Sequence, residues 1–320
     1  MSGGLGKRVV VLGYHTMGCL GFDALRRHGY EVAAVITHPD DPREEIWWDS
    51  LAARAEAAGV PVHTPESSKG EDFQALVASY HPDFLFSFYY RFIIPPAVLE
   101  LARRGALNLH GSLLPRYRGR APVNWVLVEG ETETGVSLHY MVAQPDAGDL
   151  VDQERVAIDP ADTAFTLYGK LEAAATVMLD RALPALAADS ADAADTARPV
   201  PLDLSQGSYR GGRKPADGLI DWSWPARRIY DLVRGVTHPY PGAFTALAGR
   251  RLLVWWALPV ETARAAAPGT ILSVDREGIT VAAGDGAVRL ITLQLAGQPE
   301  LPAVSLALAA GLTAGARLGS

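Results

Sequence analysis

The chain has 320 residues, 48% of them hydrophobic, with 29 Lys and Arg against 36 Asp and Glu. A formal charge of -7 speaks against nucleic acid as a partner, since phosphate backbones are held by basic surfaces, and the single cysteine, Cys19, excludes an intrachain disulfide and fits a reducing, cytoplasmic location. No apolar run reaches the ~18 residues of a membrane span and the N-terminus lacks a signal-peptide core, so neither membrane insertion nor export is expected.

Lys7 to Gly13 is a short β-branched run and Met17 to His28 has helical spacing, which predicts a strand followed by a helix. The intervening glycines, Gly13, Gly18 and Gly21, do not fit a Gly-x-Gly-x-x-Gly dinucleotide loop, whose first two glycines stand one residue apart. Alternation continues with a strand at Glu31 to Thr37, a helix at Ile46 to Ala58, a buried strand at Asp83 to Phe88, a helix at Pro95 to Ala102 and a strand at Gly105 to Leu109. Phe84, Phe86 and Phe88 are expected in the core, and Tyr89 to Ile94, just beyond that strand, is expected to line a slot for a flat ring, with backbone groups reading its edge. Strands alternating with helices predict a mostly parallel, Rossmann-like α/β sheet covered on both faces.

The stretch Ala106 to Pro122, ALNLHGSLLPRYRGRAP, carries the strongest functional signal. Residues i and i+2 of a strand share a face, so Asn108 and His110 project together while Leu107 and Leu109 turn into packing. An amide donor beside an imidazole suits acyl transfer, one group for a developing oxyanion and one for a proton. Ser112, Arg116, Arg118 and Arg120 follow at once, at a strand end where open α/β sheets bind ligands.

Further on, Val123 to Val128 reads as a helix, Gly135 to Met141 and Leu150 to Ile158 as strands, and Thr163 to Ala187 as a long helix capped by Asp162. Asp146 falls in a turn-rich loop, where it is either a turn aspartate or a carboxylate beside the imidazole that raises its pKa. Residues 1–187 are read as the catalytic domain and the small, acidic residues 188–202 as a linker. Residues 203–320 are read as a small β-barrel or sandwich, from short runs at Leu252 to Trp256, Thr270 to Val274, Ile279 to Ala283 and Val288 to Leu295. Trp222, Trp224 and Tyr240 are expected to be packing anchors of the interdomain region. From Leu202 onward, 12 Lys and Arg face 9 Asp and Glu, thin support for a tRNA-sized polyanion. No histidine pair has zinc-ligand spacing, and neither a Gly-x-Ser-x-Gly elbow nor a P-loop is present, so no metal is expected.

Phe86-Ser-Phe-Tyr-Tyr-Arg91, Asn108 through Pro122, Glu131-Thr-Glu-Thr-Gly-Val136 and Asp146-Ala-Gly148 together resemble the 10-formyltetrahydrofolate-dependent formyltransferases. The likeness extends over Tyr14 to Gly21, Arg213 to Pro215 and Tyr240 to Phe244. Tyr14 to Gly21 and Phe86 to Arg91 point to the sugar branch, nearest in pattern to the formyltransferase half of the bifunctional ArnA type, which formylates UDP-4-amino-4-deoxy-L-arabinose in lipid A modification and polymyxin resistance. The resemblance implies a Rossmann-like domain followed by an OB-like barrel. It also implies His110 as the proton-transfer residue, Asn108 as transition-state stabiliser and Asp146 as the group that raises the His110 pKa. Contacts to 10-formyltetrahydrofolate are implied at Phe92, Ile93, Ile94 and Arg120, and at Val142, Ala143, Gln144, Pro145 and Asp146. The bifunctional type continues into a dehydrogenase domain whereas this sequence stops at Ser320, which leaves a separate dehydrogenase partner, a stand-alone enzyme or a truncated chain open, along with oligomerisation. Methionyl-tRNA formyltransferase and a non-catalytic folate- or nucleotide-sugar-binding subunit stand as the alternatives.

Overall fold

A computed structural model describes residues 7–42, 44–188, 199–262 and 266–319. The core of the expected linker, 189–198, lies outside the described residues. The described residues fall into two compact units, one bounded by Met1–Pro122, Glu133–Ala157 and Gly169–Arg210, the other by Val123–Thr132, Ile158–Tyr168 and Gly211–Ser320. None of the described helices is long and apolar enough to cross a membrane.

In chain order the first part contains β1 (Arg8–Gly13), α1 (His15–Arg27), β2 (Glu31–Ile36), α2 (Leu51–Ala57), β3 (Val62–His63), α3 (Glu71–Ala78), β4 (Phe84–Phe88), α4 (Pro96–Leu99) and β5 (Gly105–His110). There follow β6 (Arg118–Gly119), α5 (Pro122–Val128), β7 (Glu133–Tyr140), β8 (Leu150–Ala157), α6 (Ala164–Ala187) and β9 (Tyr209–Arg210). The seven-stranded sheet has the order β3-β2-β1-β4-β5-β7-β8. Its first five strands run parallel, while β7 and β8 are antiparallel at one edge. Val9, Val10, Val11 and Leu12 of β1 are all fully buried, as a strand covered on both faces requires, so their pattern is continuous rather than alternating.

The chain winds from β1 outward to β3, then returns to β4 on the other side of β1. Such a reversal opens a crevice outside the carboxyl ends of the central strands. Those ends are marked by His15 after β1 and Tyr89 after β4, both with positive φ (68° and 58°), and by His110, the last residue of β5.

The helix expected from Ile46 is shorter, starting at Leu51. Ser50 caps it by accepting from the Ala53 N–H at 3.2 Å, which ends the preceding Trp47-Trp48 segment as irregular chain. The short elements β3 and α3 were not anticipated, since neither carries a long enough periodic pattern.

The second unit holds α7 (Ala226–Val236), β10 (Ala243–Leu247), β11 (Arg250–Val260), β12 (Ile271–Asp275), β13 (Gly278–Ala282), β14 (Ala287–Leu295), β15 (Glu300–Pro302) and α8 (Ala303–Ala310). Its antiparallel sheet has the order β10-β11-β14-β13-β12, with β15 beside β14. Ile229, Leu232 and Val233 of α7 pack with Val254, Val281, Leu290 and Trp222 in one core, and Trp224 lies against it. Both tryptophans are thus anchors of this core. Arg234 is also fully buried there, its Nε donating to Asp231 Oδ1 at 2.7 Å.

Candidate active site

Asn108 and His110 share a face of β5, and Leu107 and Leu109 are buried as the strand period requires. The neighbouring strand β7 runs antiparallel in a register that sets Asn108 opposite His139 and His110 opposite Ser137. Asn108 Nδ2 lies 3.1 Å from His139 Nε2. His110 Nε2 lies 2.9 Å from the Tyr117 carbonyl oxygen. A carbonyl only accepts, so neutral His110 carries its proton on Nε2 and turns its Nδ1 lone pair the other way. That Nδ1 faces Asp146 Oδ1 at 3.6 Å.

Asp146 is brought in by the loop between β7 and β8. Tyr140 N–H to the Asp149 carbonyl (2.9 Å) closes the loop's base, and Met141 N–H to the Ala106 carbonyl (2.7 Å) ties it to the start of β5. Gly148 sits where any Cβ would lie 2.1 Å from the Tyr140 carbonyl oxygen, so only glycine permits this return. Asp146 Oδ2 accepts the Gly119 N–H at 2.8 Å, and Oδ1 also stands 3.6 Å from His139 Nε2. Burial pushes the Asp146 carboxyl up, but the charge that His110 carries when protonated and the Gly119 N–H outweigh it and hold the group well below the usual carboxylate range. The side chain is therefore an anion at neutral pH.

The loop after β5 is fixed at several points. Ser112 Oγ donates to the Arg116 carbonyl (2.7 Å), Ser137 Oγ donates to the Ser112 carbonyl (2.6 Å), and Ser137 Oγ in turn accepts the Leu114 N–H (3.1 Å) and a Gln153 amide proton (2.8 Å). Tyr117 N–H donates to Ser208 Oγ (2.9 Å), and β6 pairs with β9 in parallel. Tyr117, Ala121 and Asp146 all adopt positive φ, at 56°, 53° and 53°. Such conformations cost on the order of 1–3 kcal/mol each and persist only where their surroundings enforce them.

Four arginines line this ladder: Arg116, Arg118, Arg120 and Arg210. The guanidinium carbons of Arg116 and Arg210 lie 5.6 and 5.8 Å from the Tyr117 ring centre, and Arg118 Nε is buried without a hydrogen-bond partner among the described residues. Arg120 is exposed, its backbone N–H bonded to the Arg210 carbonyl at 2.9 Å.

The segment after β4 forms an aromatic cluster with His38. His38 stacks on Tyr90 (centroids 4.3 Å apart) and meets Phe92 edge-on at 4.5 Å, and His38 Nε2 accepts the Arg91 N–H at 3.0 Å. Burial, with Arg91 nearby, lowers the His38 pKa to about 4, so the ring is neutral and free to accept. Ile94 is buried and Ile93 exposed. The Ile93 carbonyl accepts from Ser68 Oγ at 2.6 Å, which anchors this segment and leaves its second lone pair. Val142, Ala143, Gln144 and Pro145 are exposed along the loop that carries Asp146 inward.

The structure thus brings Asn108, His110 and Asp146 together, and adds His139. Ser137 and His139 share one face of β7, but only the β5–β7 register sets His139 beside Asn108. Among the described residues no group of three or more His, Cys, Asp or Glu is placed to hold a metal ion.

Family models match in two blocks, that of formyl transferase at residues 7–183 and that of the formyl transferase C-terminal domain at residues 213–310. Among solved structures, WlaRD, a sugar 3N-formyl transferase determined with dTDP and 5-N-formyl-THF, is 16% identical over 92% of this chain and 100% of its own, with a TM-score of 0.66. An N-formyltransferase from Helicobacter canadensis, in complex with folinic acid and dTDP-3-aminofucose, is 17% identical over 88% of this chain and 98% of its own, with a TM-score of 0.64. HypX from Aquifex aeolicus in complex with tetrahydrofolic acid is 19% identical, with a TM-score of 0.61; the match covers 94% of this chain but 47% of HypX, so the chain spans about half that protein's length. At these identities the likeness to solved structures is one of fold. The family match covers more than half of the sequence, and on it the chain belongs to the formyl transferases.

Proposed function

We propose that the chain transfers a formyl group from 10-formyltetrahydrofolate to the 4-amino group of a nucleotide-linked aminosugar, with UDP-4-amino-4-deoxy-L-arabinose, the ArnA-type substrate, as the first candidate. The observation that carries this reading is the convergence of an amide and an imidazole on one face of β5 with a carboxylate brought in by the β7–β8 loop. The neutral amine attacks the formyl carbon and the carbonyl oxygen becomes an oxyanion, to which Asn108 Nδ2 donates. His110 Nδ1, left open by the Nε2 contact to Tyr117, takes the amine proton and delivers it to the departing folate nitrogen. Asp146 stabilises the imidazolium between those two transfers. Phe92, Ile93, Ile94, Arg120 and the segment Val142 to Asp146 contact the folate in this reading, with the Phe92 ring beside the pterin.

Two further features support a nucleotide-linked substrate. The arginine ladder of Arg116, Arg118 and Arg210 offers charge suited to a diphosphate, and the solved relatives in complex with dTDP and dTDP-3-aminofucose share this fold. Residues 1–187 are assigned to the transfer chemistry and 203–320 to the C-terminal domain. Mass spectrometry of incubations with 10-formyltetrahydrofolate and a panel of UDP- and dTDP-aminosugars tests the reading. One aminosugar is expected to gain a formyl group, and a panel with no formylated product under conditions where folate binds would refute it.

A further inference from the structure

We propose that His139 is a positioning residue that sets the orientation of the Asn108 amide, and hence which of its ends is offered to the developing oxyanion. The inference rests on the reading of Asn108 as the oxyanion donor. His139 Nδ1 lies 2.8 Å from the Tyr140 carbonyl oxygen, an atom that only accepts, so Nδ1 carries the proton of the neutral ring. Its Nε2 then has a lone pair, and the group 3.1 Å away, Asn108 Nδ2, is the donor that satisfies it. One Nδ2 proton is committed to His139, and the second is left free on a defined side of the amide.

Three facts make this contact part of the fold rather than a chance approach. Asn108 and His139 are direct partners in the β5–β7 register, His139 is only 1% exposed so that water does not compete, and both ring nitrogens have a protein partner. Asp146 is the rival. Its Oδ1 stands 3.6 Å from His139 Nε2, beyond hydrogen-bond range, but it is an anion facing the same ring nitrogen that Asn108 Nδ2 meets. Without the His139 lone pair, the Asn108 NH₂ group would turn to that carboxylate, removing the oxyanion donor and part of the charge that His110 needs. A polar pair that looks redundant therefore separates two roles, donor on Asn108 and anion on Asp146.

The test is a double-mutant cycle with a conservative rescue. His139→Leu is expected to lower kcat about tenfold or more, in the range seen when outer partners of functional groups are lost, with the KM for 10-formyltetrahydrofolate unchanged. His139→Gln, whose side-chain oxygen reaches the place of Nε2, is expected to restore most of the rate. In an Asn108→Ala background His139→Leu is expected to change kcat less than about twofold; a slowing as large as in the intact enzyme would overturn the proposal. A readout independent of turnover comes from ¹⁵N spectra of the full chain. His139 is expected as the Nδ1–H tautomer, with one Asn108 side-chain proton slowed in exchange and released in His139→Leu, whether or not any aminosugar is formylated. An Nε2–H tautomer, or an Asn108 amide indifferent to His139→Leu, would also overturn the proposal.

Discussion

Replacing Asp146 by Asn separates the two things its carboxylate does. The amide oxygen can still accept the Gly119 N–H that the carboxylate now accepts at 2.8 Å, so the loop keeps its anchor, while the negative charge facing His110 disappears. At the 3.6 Å separation of Oδ1 from His110 Nδ1 and an effective dielectric near 20, a full charge pair is worth about 4–5 kcal/mol. Imidazolium character develops as the amine loses its proton, so most of that energy applies to the transition state and kcat should fall roughly 10³-fold. The KM for 10-formyltetrahydrofolate should change little, while the melting temperature should fall, because a carboxyl held below its unfolded-chain pKa stabilises the fold through its charge. The assay is steady-state release of tetrahydrofolate with a formylated aminosugar as co-product. A kcat within tenfold of wild type would refute the reasoning.

Asn108→Ala should lower turnover about 10²-fold or more, as loss of an oxyanion donor does; near-normal kcat in single-turnover experiments would remove that role. Gly119→Ala should both destabilise the chain by more than about 1 kcal/mol and slow it, because a Cβ there would lie 2.2 Å from the Arg210 carbonyl oxygen at φ +101° and would shift the N–H off Asp146. Chemical denaturation paired with kcat measures both effects. Asp231→Ala should cost about 3–5 kcal/mol by leaving the fully buried Arg234 guanidinium uncompensated, and adding Arg234→Met should recover much of it; urea titration of the single and double variants decides. Burial lowers the His15 pKa to about 3 and that of His38 to about 4, with Arg91 contributing to both. The unfolded chain binds those protons near the ordinary ~6.5, so stability rises with pH across that interval. This contribution is complete above about pH 6.5 and lost as pH falls through 4 and then 3, which melting temperatures between those limits will show.

Much of the sheet was readable in the sequence because its central strands are buried on both faces and so appear as unbroken apolar runs, as in Val9 to Leu12 and Phe84 to Phe88. The Asn108–His110 pair was readable for a related reason, the two-residue period of a strand. His139 was not, since its place beside Asn108 follows from an antiparallel register between segments far apart in sequence, and local pattern carries no register. Helix α7 escaped notice because Arg227, Arg228, Asp231 and Arg234 dilute its apolar face, and two of those charges prove to be buried as a pair. The aromatic cluster of His38, Tyr90 and Phe92 was half visible. The run after β4 announced itself by composition, whereas His38 arrives from the end of β2 with nothing nearby to mark it.

The His110 imidazole owes its tautomer to the Tyr117 carbonyl, a group that every amino acid supplies. Residue 117 serves the imidazole through its backbone and is constrained in position: the six residues between His110 and Tyr117 form a measured span. Inserting or deleting one of them would move the acceptor away from Nε2 while leaving Asn108, His110 and Asp146 all present. A chain altered in that way would keep every residue by which the site is recognised and lose the proton geometry that makes it work, so in this fold loop length is itself a functional character.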